Sequence, residues 1–249
     1  MIGSRLRIAL LLTLAFFIAR PAFADLIFQN DLGGVSGSGL GTVATVLTIQ
    51  SPRSTSTESG SVGFNGTTDV LSNTGVLAGG GTTAVGDVKT GASQTLTRTF
   101  GEVGITSAGE LAIVLNASEP SGNAITLTGL QLDVFQGGTS IFDAAIASSI
   151  SFPSTFTGTG NEGFAFILNS AEAAELDAIL ASLTPAQIAA LRIGLSASAS
   201  DATGGLETFN LSRVLGVPPP TAVPEPGTLM LLGSGLVAAA LSARRSIRT

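Results

Sequence analysis

Residues 163–200 read GFAFILNSAEAAELDAILASLTPAQIAALRIGLSASAS, and their periodicity changes twice. Phe164, Phe166 and Leu168 recur at every second residue, as do Leu191, Ile193, Leu195 and Ala197. That period belongs to a strand with one buried face. Between the two runs, Leu176, Ile179, Leu180 and Leu183 fall at helical spacing. Asn169-Ser170-Ala171-Glu172 opens this segment as an N-cap followed by an acid. Thr184-Pro185-Ala186-Gln187 repeats the signal with a capping Thr, a Pro in the first turn and a Gln at the third position. The stretch therefore predicts a strand, two short helices and a second strand. The helices are expected to plug one open end of a β structure, because an apolar helical stripe usually faces a core.

The same alternation extends outward. Leu111, Ile113 and Leu115 keep it, and so do Ile125 and Leu127. Leu130, Leu132 and Val134 continue in the opposite phase, so the register flips at Thr128-Gly129. A glycine at a phase flip predicts a β-bulge or tight bend. Residues 26–29, 43–49, 96–100, 140–146 and 209–214 are further strand candidates. About ten short strands separated by turn residues predict an all-β fold, a β-sandwich or jelly roll with a short two-helix insert. Phe164 and Phe166 are both expected between the sheets.

The two ends differ from this body. Met1–Ala24 carries Arg5 and Arg7, an apolar run from Ile8 to Ile18, and Ala22-Phe23-Ala24. Basic start, short apolar run and small-x-small site together predict a secretory signal peptide cut after Ala24. At the other end, residues 217–226 form a Pro-rich linker and residues 227–249 a hydrophobic segment with an Arg-rich end. As a helix, Gly227–Ala243 would be about 25 Å long, against a bilayer core of about 30 Å. A single transmembrane helix there would be marginal as a permanent anchor. Arg244, Arg245 and Arg248 would hold its end on the cytoplasmic side. The domain plan is thus 1–24, 25–216, 217–226 and 227–249.

Val223-Pro224-Glu225-Pro226, the short apolar span and Arg244-Arg245 together resemble a PEP-CTERM sorting signal. The resemblance implies export by a signal peptide and at least transient residence in the inner membrane. It also implies processing by a membrane sorting protease of the exosortase type, then release to the cell surface or extracellular space. Such proteins occur in bacteria that make extracellular polysaccharide. Residues 163–211 also resemble the end of the β-sandwich bodies of other PEP-CTERM proteins, and that likeness carries no active site.

Composition limits the chemistry. The chain has no His, Cys, Trp or Tyr and a single lysine, Lys89. The usual general bases, thiolates, transition-metal ligands and sugar-stacking platforms are therefore missing. No Gly-x-Ser-x-Gly occurs, and no enzyme and no cofactor are expected. Between Asp25 and Val223 there are five cations and sixteen acids, a net charge of −11. Such a body repels phosphate backbones, so no nucleic acid partner is expected. Gly158-Thr159-Gly160-Asn161-Glu162-Gly163 and Gly39-Leu40-Gly41-Thr42-Val43-Ala44 imitate dinucleotide loops. Strand-type residues follow both, where such a site needs a helix.

Oxygen-only calcium ligation remains open. Asp201–Glu207 offers two acids in a flexible loop, and Asp69 and Asp87 lie in Gly/Thr-rich stretches. No EF-hand or nonapeptide motif is present, so no metal ligand is assigned. Asn65, Asn116 and Asn210 head sequon-like triplets, and Ser51–Ser61 is a Ser/Thr-rich loop candidate for O-linked sugar. The resulting expectation is an exported, non-enzymatic surface or extracellular-matrix protein. A calcium- or polysaccharide-binding module is the alternative, and a glycan-active enzyme the third reading.

Overall fold

The computed structural model describes residues 26–29, 43–51, 55–72, 87–91, 93–118, 124–152 and 163–214. They form two antiparallel sheets. The strands are β1 (Leu26–Gln29), β2 (Ala44–Ile49), β3 (Thr57–Phe64), β4 (Asp69–Ser72), β5 (Arg98–Thr99) and β6 (Leu111–Asn116). They continue with β7 (Ile125–Gln136), β8 (Thr139–Ala145), β9 (Ile150–Phe152), β10 (Phe164–Leu168), β11 (Arg192–Ser200) and β12 (Glu207–Arg213). One sheet has five strands in the order β1-β10-β6-β12-β2. The other follows β4-β3-β11-β7-β8, with β5 paired to β11 and β9 paired to β7. One apolar core joins the inward faces: Leu47, Ile113, Phe166 and Phe209 from the first sheet, Val62, Leu132, Ile193 and Leu195 from the second.

The predicted irregularity at Thr128-Gly129 is a β-bulge. Ser198 pairs with Gly129 and Ala199 with Leu127, leaving Thr128 as the extra residue on β7. The extra residue turns the strand by one position, so Leu127 and Leu130 both reach the core despite their mixed parity.

The helices form as their caps predict. Asn169 accepts from the backbone N–H groups of Ala171 (2.8 Å) and Glu172 (2.9 Å), opening a helix at Ser170–Leu180. Thr184 and Gln187 form a reciprocal capping box at the start of Pro185–Ala190. In chain order these are α2 and α3, after α1 (Phe100–Val103). Ala173, Leu176 and Leu180 of α2 join the main core, as the apolar stripe requires.

Three sequence expectations change. Residues 96–100 are not one strand, because Thr99 and Glu102 form a capping box and turn Phe100 into the first residue of α1. Phe100 is then fully buried from a helix. Ser51–Ser61 is not a free loop, since Thr57–Ser61 opens β3. Its pattern is hard to see because the inward positions are Glu58, Gly60 and Val62. Gly60 is small for a reason: a Cβ there would lie 2.4 Å from Val88 and 2.8 Å from Ile49. Phe166 lies between the sheets, but Phe164 sits at the rim, half-buried, stacked on Phe152 with ring centroids 3.9 Å apart.

The outer edge of β2 is closed by the chain from Asp87 to Leu96. The N–H of Lys89 donates to Thr48 O (2.9 Å), that of Leu96 to Val46 O (3.1 Å), and that of Thr48 to Thr95 Oγ1 (3.0 Å). An open strand edge would otherwise invite pairing with another chain.

Candidate functional site

The sorting motif, the signal-peptide site at Ala22 and Ala24, and Arg244 and Arg245 lie outside the described residues. So does residue 53, and so do both glycine patterns except Val43, Ala44 and Gly163. Among the described residues no helix is long and apolar enough to cross a membrane.

The described body ends in a polar clamp. Arg213, the last residue of β12, donates to Glu110, whose other oxygen accepts from the N–H (2.7 Å) and hydroxyl (2.9 Å) of Thr106. The N–H of Val214 donates to Glu110 O at 2.9 Å. The Arg213 hydrogen bond, helped by Thr106 against the opposing effect of partial burial, holds the Glu110 carboxyl down at about 2. The last strand is thereby pinned to the turn before β6.

The 201–207 loop does not gather the acids into one cage. Asp201 adopts a left-handed backbone (φ 64°) and is exposed. Glu207 is 1% exposed and in phase with Phe209 and Leu211, so it faces the interior. Glu58 is buried in the same way on β3, and its carboxylate accepts from the N–H of Ser51 at 3.0 Å. Asp69 opens β4 and accepts from the Thr97 hydroxyl, while Asp87 accepts from the N–H of Ser59 at 3.0 Å. Among the described residues no three His, Cys, Asp or Glu side chains are placed to hold a metal. Of the sequon asparagines, Asn65 is exposed in the β3–β4 turn, whereas Asn116 and Asn210 are buried in strands. Asn210 accepts from the Thr45 hydroxyl at 2.8 Å.

The outer face of the seven-stranded sheet has a feature the sequence does not announce. A shallow groove of about 250 Å³ runs past Ser59, Ser196, Ser198, Gln131, Gly129 and Ile146. Gly129 of the bulge keeps it open, because a Cβ there would lie 2.8 Å from Ser198 Oγ. Beside it, Asp133 accepts from Gln131 (3.1 Å) and Ser140 (2.9 Å) and pairs in register with Asp143. Burial pushes the Asp133 carboxyl up, and the Asp143 charge adds to the effect. The signal that could have located this face is the row of small polar residues alternating with the core positions of β11. It says polar surface, but not groove.

Comparison with known proteins places one label on the chain. Residues 222–246 match the family model of the PEP-CTERM protein-sorting motif. That motif implies export and C-terminal membrane anchoring before processing by exosortase, a membrane protease. No curated protein matches the chain. A solved structure of broad bean stain virus is similar over 78% of this chain and 97% of that one, at 11% identity and a TM-score of 0.25. A likeness at that score does not bear on the fold.

Proposed function

We propose that this chain is an exported, non-enzymatic β-sandwich protein of the cell surface or extracellular matrix, delivered through its C-terminal tail. The match to the sorting motif at residues 222–246 carries this reading. The fold agrees with it. Among the described residues the two-sheet body runs to Val214, and the motif at residues 222–246 follows it in sequence. A net charge of −11 suits a soluble exported body.

The test is the intact mass of the protein recovered outside cells that carry the membrane protease. The mature form is expected to lack residues 1–24 and the hydrophobic tail. Replacing Pro224, Glu225 and Pro226 with Ala is expected to leave the tail in place and the protein in the membrane fraction. A full tail on extracellular wild-type protein would overturn the reading.

One observation favours a second role for the body, weak binding of a neutral glycan. Three serine side chains and the Gln131 amide line the groove, and no titratable group does. Such a lining suits the hydroxyls of an uncharged sugar and offers no cation to pair with an anionic one. With no ring to stack on, binding would rest on hydrogen bonds alone. Titration of the body with neutral and anionic oligosaccharides, followed by amide chemical shifts of Gln131 and Ser198, decides this. Equal shifts for both sugars, or none, would discard it.

A further inference from the structure

Among the described residues β12 is the last strand in sequence, yet it is not an edge. It lies inside the five-stranded sheet, paired to β6 through Thr208–Arg213 and to β2 through Glu207–Leu211. Among the described strands β2 ends that sheet and is joined to it through β12. Phe209 and Leu211 bring 0% and 3% exposed side chains to the centre of the core. Until β12 arrives, the sheet is split and both β6 and β2 present bare edges toward an empty slot. The sandwich therefore cannot close on a chain that has been exported only as far as β11.

The sequence puts this closing strand close to the sorting tail. Thirteen residues, 214–226, separate Arg213 from Gly227, where the hydrophobic segment begins. At about 3.1 Å per residue for a proline-rich chain, they reach about 40 Å, a little more than the bilayer core of about 30 Å. When β12 has just cleared the membrane, the apolar segment therefore stands at the entrance to the bilayer and is the next part of the chain to enter it. An unclosed body released at that moment would carry two unpaired strand edges into solution, a direct route to aggregation.

We propose that the body closes on the membrane-tethered chain, with β12 as the closing strand, and that the membrane protease receives a folded substrate. The tail then acts first as a hold, keeping the chain in place while β12 seats, and only afterwards as an address. This inference rests on the export and sorting reading above.

Pulse–chase of the full chain in cells carrying the protease tests it. Samples are split between intact-size analysis, which reports the tail, and external proteolysis, which reports closure of the body. The expected order is a tailed, protease-sensitive chain, then a tailed, protease-resistant one, then a resistant chain without its tail. Phe209→Asp places a charge in the core slot of β12 and is expected to stop the series at the first species. Initial rates over the first chase points separate slow processing from later degradation. Tail loss from Phe209→Asp at the wild-type rate would overturn the proposal. So would a wild-type chain that loses its tail before it becomes resistant. A wild-type chain that never loses its tail overturns the sorting reading itself, and this inference with it.

Discussion

The outer faces of the two sheets are built oppositely. On the five-stranded sheet, Ala112, Val114, Ala165, Ile167 and Val214 form a second apolar cluster, each 0–7% exposed. On the seven-stranded sheet, the corresponding face carries Ser59, Ser196, Ser198, Gln131, Asp133 and Asp143. One sheet is thus buried on both sides, and the other has one buried and one polar side. Strands of the first kind read as continuous apolar runs, and strands of the second kind alternate. Leu111–Asn116 is buried at every position, whereas β11 alternates core residues with Arg192, Gly194 and serines. The polar face holds the groove that runs past Ser59, Gln131, Ser196 and Ser198.

The inward faces are common to both sheets and give the largest effects. Phe166→Ala should cost about 3–5 kcal/mol, from lost transfer energy plus the cavity left behind. Phe164→Ala, at the half-exposed rim, should cost about half of that or less, mainly the stack on Phe152. Urea melts of the two variants rank them. Equal losses would mean that the rim is as tightly enclosed as the centre.

The outer faces separate next. Ile167→Ala should cost about 2–4 kcal/mol although its side chain points away from the main core. Ser198→Val, on the opposite outer face, should stay within about 0.5 kcal/mol, because only the hydrogen bond from Thr128 (2.9 Å) is lost. If Ile167→Ala melts like the wild type, the two faces are alike and the comparison fails.

Much of this contrast was legible in the sequence, but only on one side. The alternation of Leu111, Ile113 and Leu115 marks the inward face of β6, while Ala112 and Val114, at the positions between them, belong to the outer cluster. A short continuous apolar run and an alternating one share the same odd positions, and only the residues between them tell the two apart. The strand–helix–helix–strand order of residues 163–200 was readable because its caps are local chemistry. β3 was not, because Gly60 and Glu58 stand at inward positions where periodicity looks for aliphatics. Among the candidate sites, the sorting motif was legible as a contiguous string. The groove was not, because it is assembled from β3, β7, β11 and the residues around the end of β8. Burial of Glu207 and exposure of Asp201 likewise depend on where the strand begins, which the string DATGGLE does not reveal.

A local cap gives a smaller effect than the outer-face substitution Ile167→Ala in the buried sheet. Asn169 is fully buried and accepts two backbone N–H groups at the start of α2. Asn169→Ala should therefore cost about 1–2 kcal/mol. Thr184→Ala, at an exposed cap with a 3.4 Å bond to the N–H of Gln187, should cost about 0.5–1 kcal/mol. Parallel thermal melts compare them. A larger loss at Thr184 would mean that α3 does more than bridge to β11.

The smallest effects divide the two sheets by the sign of their response to acid. The Glu110 carboxyl sits at about 2, against an ordinary 4.5. Its stabilising contribution is complete above about 4.5 and disappears as the pH falls toward 2. Its partner Arg213 is 39% exposed, so the screened pair should contribute only about 0.5–1 kcal/mol. Asp133 behaves in the opposite way. Its carboxyl is raised, first by burial and then by the Asp143 charge, so the ionised form costs stability at neutral pH. That cost is relieved as the pH falls through the raised value toward the ordinary carboxyl range. Glu110→Gln should therefore lower the urea midpoint at pH 7 and leave it unchanged near pH 2. Asp133→Asn should raise the midpoint at pH 7 and lose that advantage on acidification. The double variant should show a flatter profile than either parent trend. A Glu110→Gln variant that loses as much stability at pH 2 as at pH 7 would show that the clamp acts through packing of the glutamate side chain, with the charge on Arg213 irrelevant to holding β12.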